Sequence, residues 1–173
     1  MLEECAEGDL VFSFDNPHSV VRFDDDNTHG MAHAMKRIDF IVTFAHRTWL
    51  IEVKDPESRN IPPHRTTAEL ENFRKKMRSG TLYARELAPK LKDTLVYLAL
   101  DHQAPRNDIS YIAFVQVSSL DAAMLLTAQN KLKKLCYLPG PKGKGWSSKF
   151  NVIVLNMDAW NSKLAPHSVR RRT

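Results

Sequence analysis

Between Arg37 and Lys54 the chain reads RIDFIVTF, then AHR, then TWLIEVK, and these two runs of branched and aromatic residues restrict the fold more than any other segment. Such runs favour strands, and a brief polar connection between them favours a hairpin. A two-residue turn at His46 and Arg47 sets Ala45 opposite Thr48, Ile41 opposite Glu52 and Asp39 opposite Lys54. Strand side chains alternate between faces. One face therefore gathers Ile38, Phe40, Val42, Phe44, Trp49, Ile51 and Val53, with no polar exception. The other carries Asp39, Ile41, Thr43, Leu50, Glu52 and Lys54, its charges all at the end away from the turn. Sliding the register by two residues preserves both faces, whereas a slide of one puts Asp39 into the apolar set.

The flanking segments extend this hairpin into an α/β domain. MLEECAEG is expected to hold a short helical turn, and DLVFSFDN and SVVRF read as strands ending at Asn16-Pro17 and at the acidic turn Asp24 to Asn27. TTAELENFRKKMRSG predicts a helix capped by Thr66 or Thr67 and stopped by Gly80. TLYARELAPKLKDTLVYLALDH continues with helical periodicity and a kink at Pro89. ISYIAFVQV is apolar on both faces and reads as a central strand. A helix follows in SLDAAMLLTAQNKLKKL, with Ser119 as its cap, then a strand in FNVIVLN and a short helix in MDAWNSKL. The expected fold is α/β: a mixed central sheet that begins with an antiparallel meander, with helices on its faces. Residues 1–166 form one domain in this reading, and 167–173 a basic solvated tail.

On this register an aspartate, a glutamate and a lysine share one patch at the end of the sheet. Two neighbouring carboxylates raise each other's pKa unless a cation lies between them. Mg²⁺ resolves that conflict, since it takes oxygen ligands and commonly uses one or two protein carboxylates together with phosphate oxygens. A lysine beside it supplies positive charge or helps deprotonate water, which is chemistry for hydrolysing a phosphodiester.

Ile38-Asp39, twelve intervening residues, and Glu52-Val53-Lys54 resemble the PD-(D/E)XK nuclease superfamily, with Ile38 in place of the proline. The resemblance implies a restriction-endonuclease-like fold. It further implies Asp39, Glu52 and the Val53 carbonyl as ligands of Mg²⁺, with Mn²⁺ as substitute, and Asp39, Glu52 and Lys54 as the catalytic set. Many members place a supporting glutamate on a helix before the meander; Glu3, Glu4 and Glu7 are the residues available here.

Elsewhere the signals are weaker. Arg74, Lys75, Lys76 and Arg78 give one helix a basic face that serves either phosphates or solvent. Lys142, Lys144, Lys149 and Trp146 combine charge with a stacking surface, as single strands and duplex edges require, although an ordinary surface loop has the same composition. Asp24 to Asn27 lack the glycine and distal glutamate of a calcium loop, and Gly30 between His29 and His33 disfavours a helical metal pair. Cys5 and Cys136 match no metal or redox spacing, and no apolar run approaches the roughly 20 residues of a membrane span. A net charge of +5 is compatible with a polyanionic partner. The expectation is a cytoplasmic, metal-dependent endonuclease that does not enter membranes and acts on nucleic acid, DNA before RNA. Specificity is then left to loops, a homodimer or a partner subunit. The alternative is a catalytically silent nucleic-acid-binding or scaffolding module of the same fold.

Overall fold

The computed structural model describes residues 1–25, 35–136 and 149–172. The candidates Lys142, Lys144 and Trp146, like Asp26, His29 and His33, lie outside the described residues. The chain is mixed α/β with two sheets. The larger sheet has the order β3 (Ser19–Arg22), β4 (Phe40–Thr43), β5 (Arg47–Lys54), β6 (Asp108–Val115) and β7 (Phe150–Leu155). Its first three strands form an antiparallel meander, and β6 and β7 then run parallel to β5.

The hairpin takes the register shifted by two. Thr43 lies opposite Thr48 and Ile41 opposite Leu50, and the Phe44 N–H donates to the Arg47 carbonyl at 2.8 Å. The turn is therefore Ala45-His46, and Arg47 opens β5 with its guanidinium over the rings of Phe44 and Trp49, at 5.1 and 4.9 Å. That cation–π contact favours the observed register. The faces survive the slide, with one correction. Phe40, Val42, Phe44, Trp49, Ile51 and Val53 share a core, whereas Ile38 precedes β4 and packs into the core on the opposite side. Its N–H meets the Thr94 hydroxyl at 3.3 Å.

The apolar face of the hairpin is covered by a second sheet more than by helices. β1 (Leu2–Glu7), β2 (Leu10–Asp15) and β8 (Ser168–Arg171) form it, with β2 central and antiparallel to both neighbours. Gly8, at φ +58°, turns the chain between β1 and β2, a conformation that side chains disfavour. The opening residues are thus a strand and not a helical turn. The expected tail at 167–173 is also corrected, because Ser168–Arg171 is a strand of the fold. Val169 is buried in the aromatic core, and the Arg171 guanidinium is held by Asp9 at 2.7 Å and Asp55 at 2.8 Å. A buried anchor and a paired cation account for order in a segment that reads as basic and solvated.

Helices cover the other face. α1 (Pro63–Ser79) begins earlier than Thr66, behind Pro62 and without a side-chain cap, and Gly80 ends it at φ +81°. Proline suits the first helical turn because the N–H it lacks would have no partner there. Next come a π-helical stretch, Leu82–Leu87, and α2 (Ala88–Leu100). α3 (Ala122–Leu135) is capped by Asp121, whose carboxylate accepts from the Met124 N–H at 2.8 Å, and not by Ser119. α4 (Met157–Lys163) returns to the second sheet, where Trp160 is fully buried among Phe12, Phe14, Trp49 and Phe114. Among the described residues no helix is long and apolar enough to cross a membrane.

Candidate active site

Asp39 sits just ahead of β4 and is fixed through both its main chain and its side chain. Its N–H donates to the Ile51 carbonyl at 3.0 Å, and its carbonyl accepts from the Phe23 N–H at 2.8 Å. Its Oδ2 accepts from the Val53 N–H at 2.5 Å. Asp39 lies one residue before the first registered pair, Phe40 with Ile51, and its carboxylate shares the Lys90 ammonium with Glu52. The β5 side chains of Glu52 and Lys54 face the helices, while Val53 points into the aromatic core. On β6, Ala113 lies beside Glu52 and leaves room above it for a side chain arriving from the helical layer.

That side chain is Lys90, the third residue after the Leu82–Leu87 stretch closes. Its ammonium donates to Glu52 Oε2 at 2.8 Å and lies 2.6 Å from Oε1 and 3.5 Å from Asp39 Oδ1. Lys54 contacts the same Glu52 Oε1 at 2.9 Å. Glu52 has no solvent exposure, whereas the two lysine side chains remain 21–25% exposed. The result is a buried carboxylate clasped by two ammoniums at the edge of water.

Local helix chemistry aims Lys90. Pro89 has no N–H, so the Arg85 carbonyl one turn earlier cannot be bonded in α-helical fashion. The ladder widens instead, with the Ala88 N–H reaching Tyr83, and the freed Arg85 carbonyl accepts from the Lys36 ammonium. π-helical turns of this kind often mark functional sites. The Tyr111 hydroxyl fixes the same turn from below, donating to the Leu87 carbonyl at 2.9 Å.

Burial governs the electrostatics. It pushes the Glu52 carboxyl up to about 7, with Asp39 adding to the rise and Lys54 and Lys90 opposing it. The Asp39 carboxyl is likewise raised by burial, against Lys90, the Val53 N–H and Lys54. Burial also acts to lower the Lys54 pKa, yet Glu52 and Asp39 outweigh it and hold that ammonium above its usual value. Of the three N-terminal glutamates, Glu7 is the one coupled to the site. Its carboxyl is raised by burial and by Asp39, and Arg22 holds it at 2.8 Å. Glu4 instead pairs with Ser13 and Arg170 on the second sheet.

Above Lys54 and Lys90 opens a cavity of about 400 Å³, lined also by Asp24, Met35, Lys36, Arg37 and Glu86. Lys54 and Lys90 are paired with the buried carboxylates, and the other charged residues around the cavity are two basic, Lys36 and Arg37, and two acidic, Asp24 and Glu86. Arg74, Lys75 and Arg78 are not part of this cavity. They line a separate groove on α1 with Glu71 and Asn72, and Arg74 donates to the Ser119 hydroxyl at 3.1 Å.

For a metal the donor set is partly suitable. Asp39 and Glu52 offer hard oxygens of the kind Mg²⁺ takes, both facing the Lys90 ammonium, at 3.5 and 2.6 Å. Among the described residues no third His, Cys, Asp or Glu is placed with them to hold a metal. The place between the carboxylates is taken by Lys90.

Sequence reasoning missed Lys90, Lys36 and Arg37. One signal for Lys90 was present: Leu87 at the end of the π-helical stretch and Leu91, Thr94 and Leu98 of α2 form one buried stripe, and Lys90 falls on its edge at helical spacing. A lysine there needs an acidic partner on the sheet. No family model matches the chain, and comparison with curated proteins and with solved structures finds no significant match.

Proposed function

We propose that this chain is a Mg²⁺-dependent nuclease of the restriction-endonuclease-like type, hydrolysing phosphodiesters in nucleic acid, with DNA the first candidate. The observation that carries this reading is the cluster formed by Asp39, Glu52 and Lys54 on one sheet end, under a cavity edged by Lys36, Arg37 and Lys90. A bound Mg²⁺ supplies Lewis-acid activation of a phosphate oxygen and an acidified water. Asp39 and Glu52 hold it. The Val53 N–H fixes the Asp39 carboxylate through Oδ2, which leaves Oδ1 facing Lys90 at 3.5 Å. Lys54 orients the attacking water or stabilises the negative charge that develops on phosphate. Lys36 and Arg37, on the wall of the cavity, attract and seat the polyanion.

A second reading has one observation in its favour. With Lys90 in place and Glu52 ionised, the charges of Asp39, Glu52, Lys54 and Lys90 cancel without metal. A silent module of the same fold, contributing a basic surface to a larger assembly, is satisfied by that state.

The discriminating experiment is cleavage of plasmid, linear duplex, single-stranded DNA and RNA with Mg²⁺ or Mn²⁺, using wild type, Lys54→Ala and Asp39→Ala. Metal-dependent cutting lost in both variants supports the nuclease. Absence of cutting by any preparation, with metal-independent binding that weakens as salt rises, supports the silent module.

A further inference from the structure

We propose that Lys90 is a displaceable internal counter-ion: its ammonium occupies the place between Asp39 and Glu52 that a divalent cation takes, and metal entry drives it out toward the substrate phosphate. This rests on the nuclease reading and adds to it a residue that competes with the metal.

Three observations carry it. The first is position. An ammonium 2.6 and 2.8 Å from the two oxygens of Glu52 and 3.5 Å from Asp39 Oδ1 lies where one cation satisfies both carboxylates. The second is redundancy. Lys54 already contacts Glu52 Oε1 at 2.9 Å, so Glu52 keeps an ammonium partner when Lys90 leaves. The third is an exit. The Lys90 side chain is 21% exposed and lines the 400 Å³ cavity that also presents Asp24 and Glu86. Its long flexible stem allows the ammonium to turn outward while α2 stays packed.

The physical consequence is an exchange of charge. A dication replacing the ammonium leaves the two carboxylates with no net excess, and the released ammonium enters the cavity as an extra positive charge for phosphate. Lys90 thus competes with the metal for the two carboxylates, a role distinct from that of Lys54. Without metal it keeps two repelling carboxylates together.

The test is Mn²⁺ binding followed by electron paramagnetic resonance, without nucleic acid, at pH 8 so that protons compete little for Glu52. Wild type, Lys90→Met, Lys90→Arg and Asp39→Asn are compared. Removing the competing charge is expected to tighten Mn²⁺ binding in Lys90→Met by at least about tenfold, with no gain in Lys90→Arg and loss in Asp39→Asn. Wild-type binding that Lys90→Met leaves equal or weaker overturns the role of Lys90 and leaves the nuclease reading standing. Binding by Lys90→Met alone supports that role and counts against metal-dependent catalysis by the unaided chain. Binding by neither protein overturns both. A measurement on wild type does not depend on how that variant folds. With ¹³C-dimethylated lysines assigned through Lys90→Arg, the Lys90 signal is expected to shift on addition of Mg²⁺ alone. An unmoved signal while Mg²⁺ binds overturns the proposal.

Discussion

The carboxylate of Asp39 accepts a hydrogen bond from the main-chain N–H of Val53 at 2.5 Å, tying the start of one hairpin strand to the charged end of the other. This bond separates two roles of Asp39. Asp39→Asn keeps an oxygen acceptor for Val53 and removes the charge, whereas Asp39→Ala leaves a buried N–H unsatisfied. Urea unfolding at pH 7 is expected to find the Asn variant more stable than the Ala variant by about 1–3 kcal/mol. Both are expected to lose metal-dependent cleavage. Equal stability of the two would show that Val53 finds another acceptor.

Glu52 makes stability depend on pH in an unusual direction. Burial lifts its carboxyl from 4.5 to about 7 in the folded chain, so between these values the native state holds a proton that the unfolded chain releases. Its contribution is complete below 4.5 and is lost as pH rises through 7. Wild type is therefore expected to lose ground to Glu52→Gln from pH 4.5 to pH 8, by on the order of 3 kcal/mol. Paired denaturation curves across that interval measure the difference. A constant gap would place Glu52 in the charged form throughout.

Arg171 joins two acidic residues from distant parts of the chain, Asp9 at 2.7 Å and Asp55 at 2.8 Å, with all three side chains largely shielded. Arg171→Ala strands two carboxylates and is expected to cost about 3–5 kcal/mol. Arg170, next along the strand, is 56% exposed and meets Glu4 at 3.4 Å. Arg170→Ala is expected to change stability by less than about 1 kcal/mol. Guanidinium unfolding of the pair tests whether the last strand is clamped at one arginine.

The groove on α1 tests a separate role. Neutralising Arg74, Lys75 and Arg78 together is expected to weaken duplex binding and to lower the slope of log affinity against log salt by up to about 3. Thermal stability is expected to change little, since the three are not in the core. An unchanged slope would assign the patch to solvent.

The faces of the hairpin were legible in the sequence because alternation survives any even slide of the strands. The register was not, since the sequence offers the same faces at either setting, and the stacking of Arg47 on Phe44 and Trp49 favours one. Ile38 misled because a residue just outside a strand is not bound by its alternation. Lys90 escaped because its approach to Glu52 depends on how the helix widens before Pro89, a property of backbone bonding that spacing alone does not carry. The Ser168–Arg171 strand was hidden by composition: two of its four residues are arginines, and the partners that neutralise Arg171 lie more than a hundred positions earlier.

The place of that strand in the chain also orders assembly during synthesis. Asp39, Glu52, Lys54 and Lys90 leave the ribosome well before Ser168–Arg171, which pairs with the open edge of Leu10–Asp15. Until it arrives, Asp9 and Asp55 lack the arginine that joins them, and Asp55 directly follows Lys54. The floor of the cluster is thus present early and its brace comes late. A nascent chain carries all four charged groups before it carries the means to lock the strand that bears two of them.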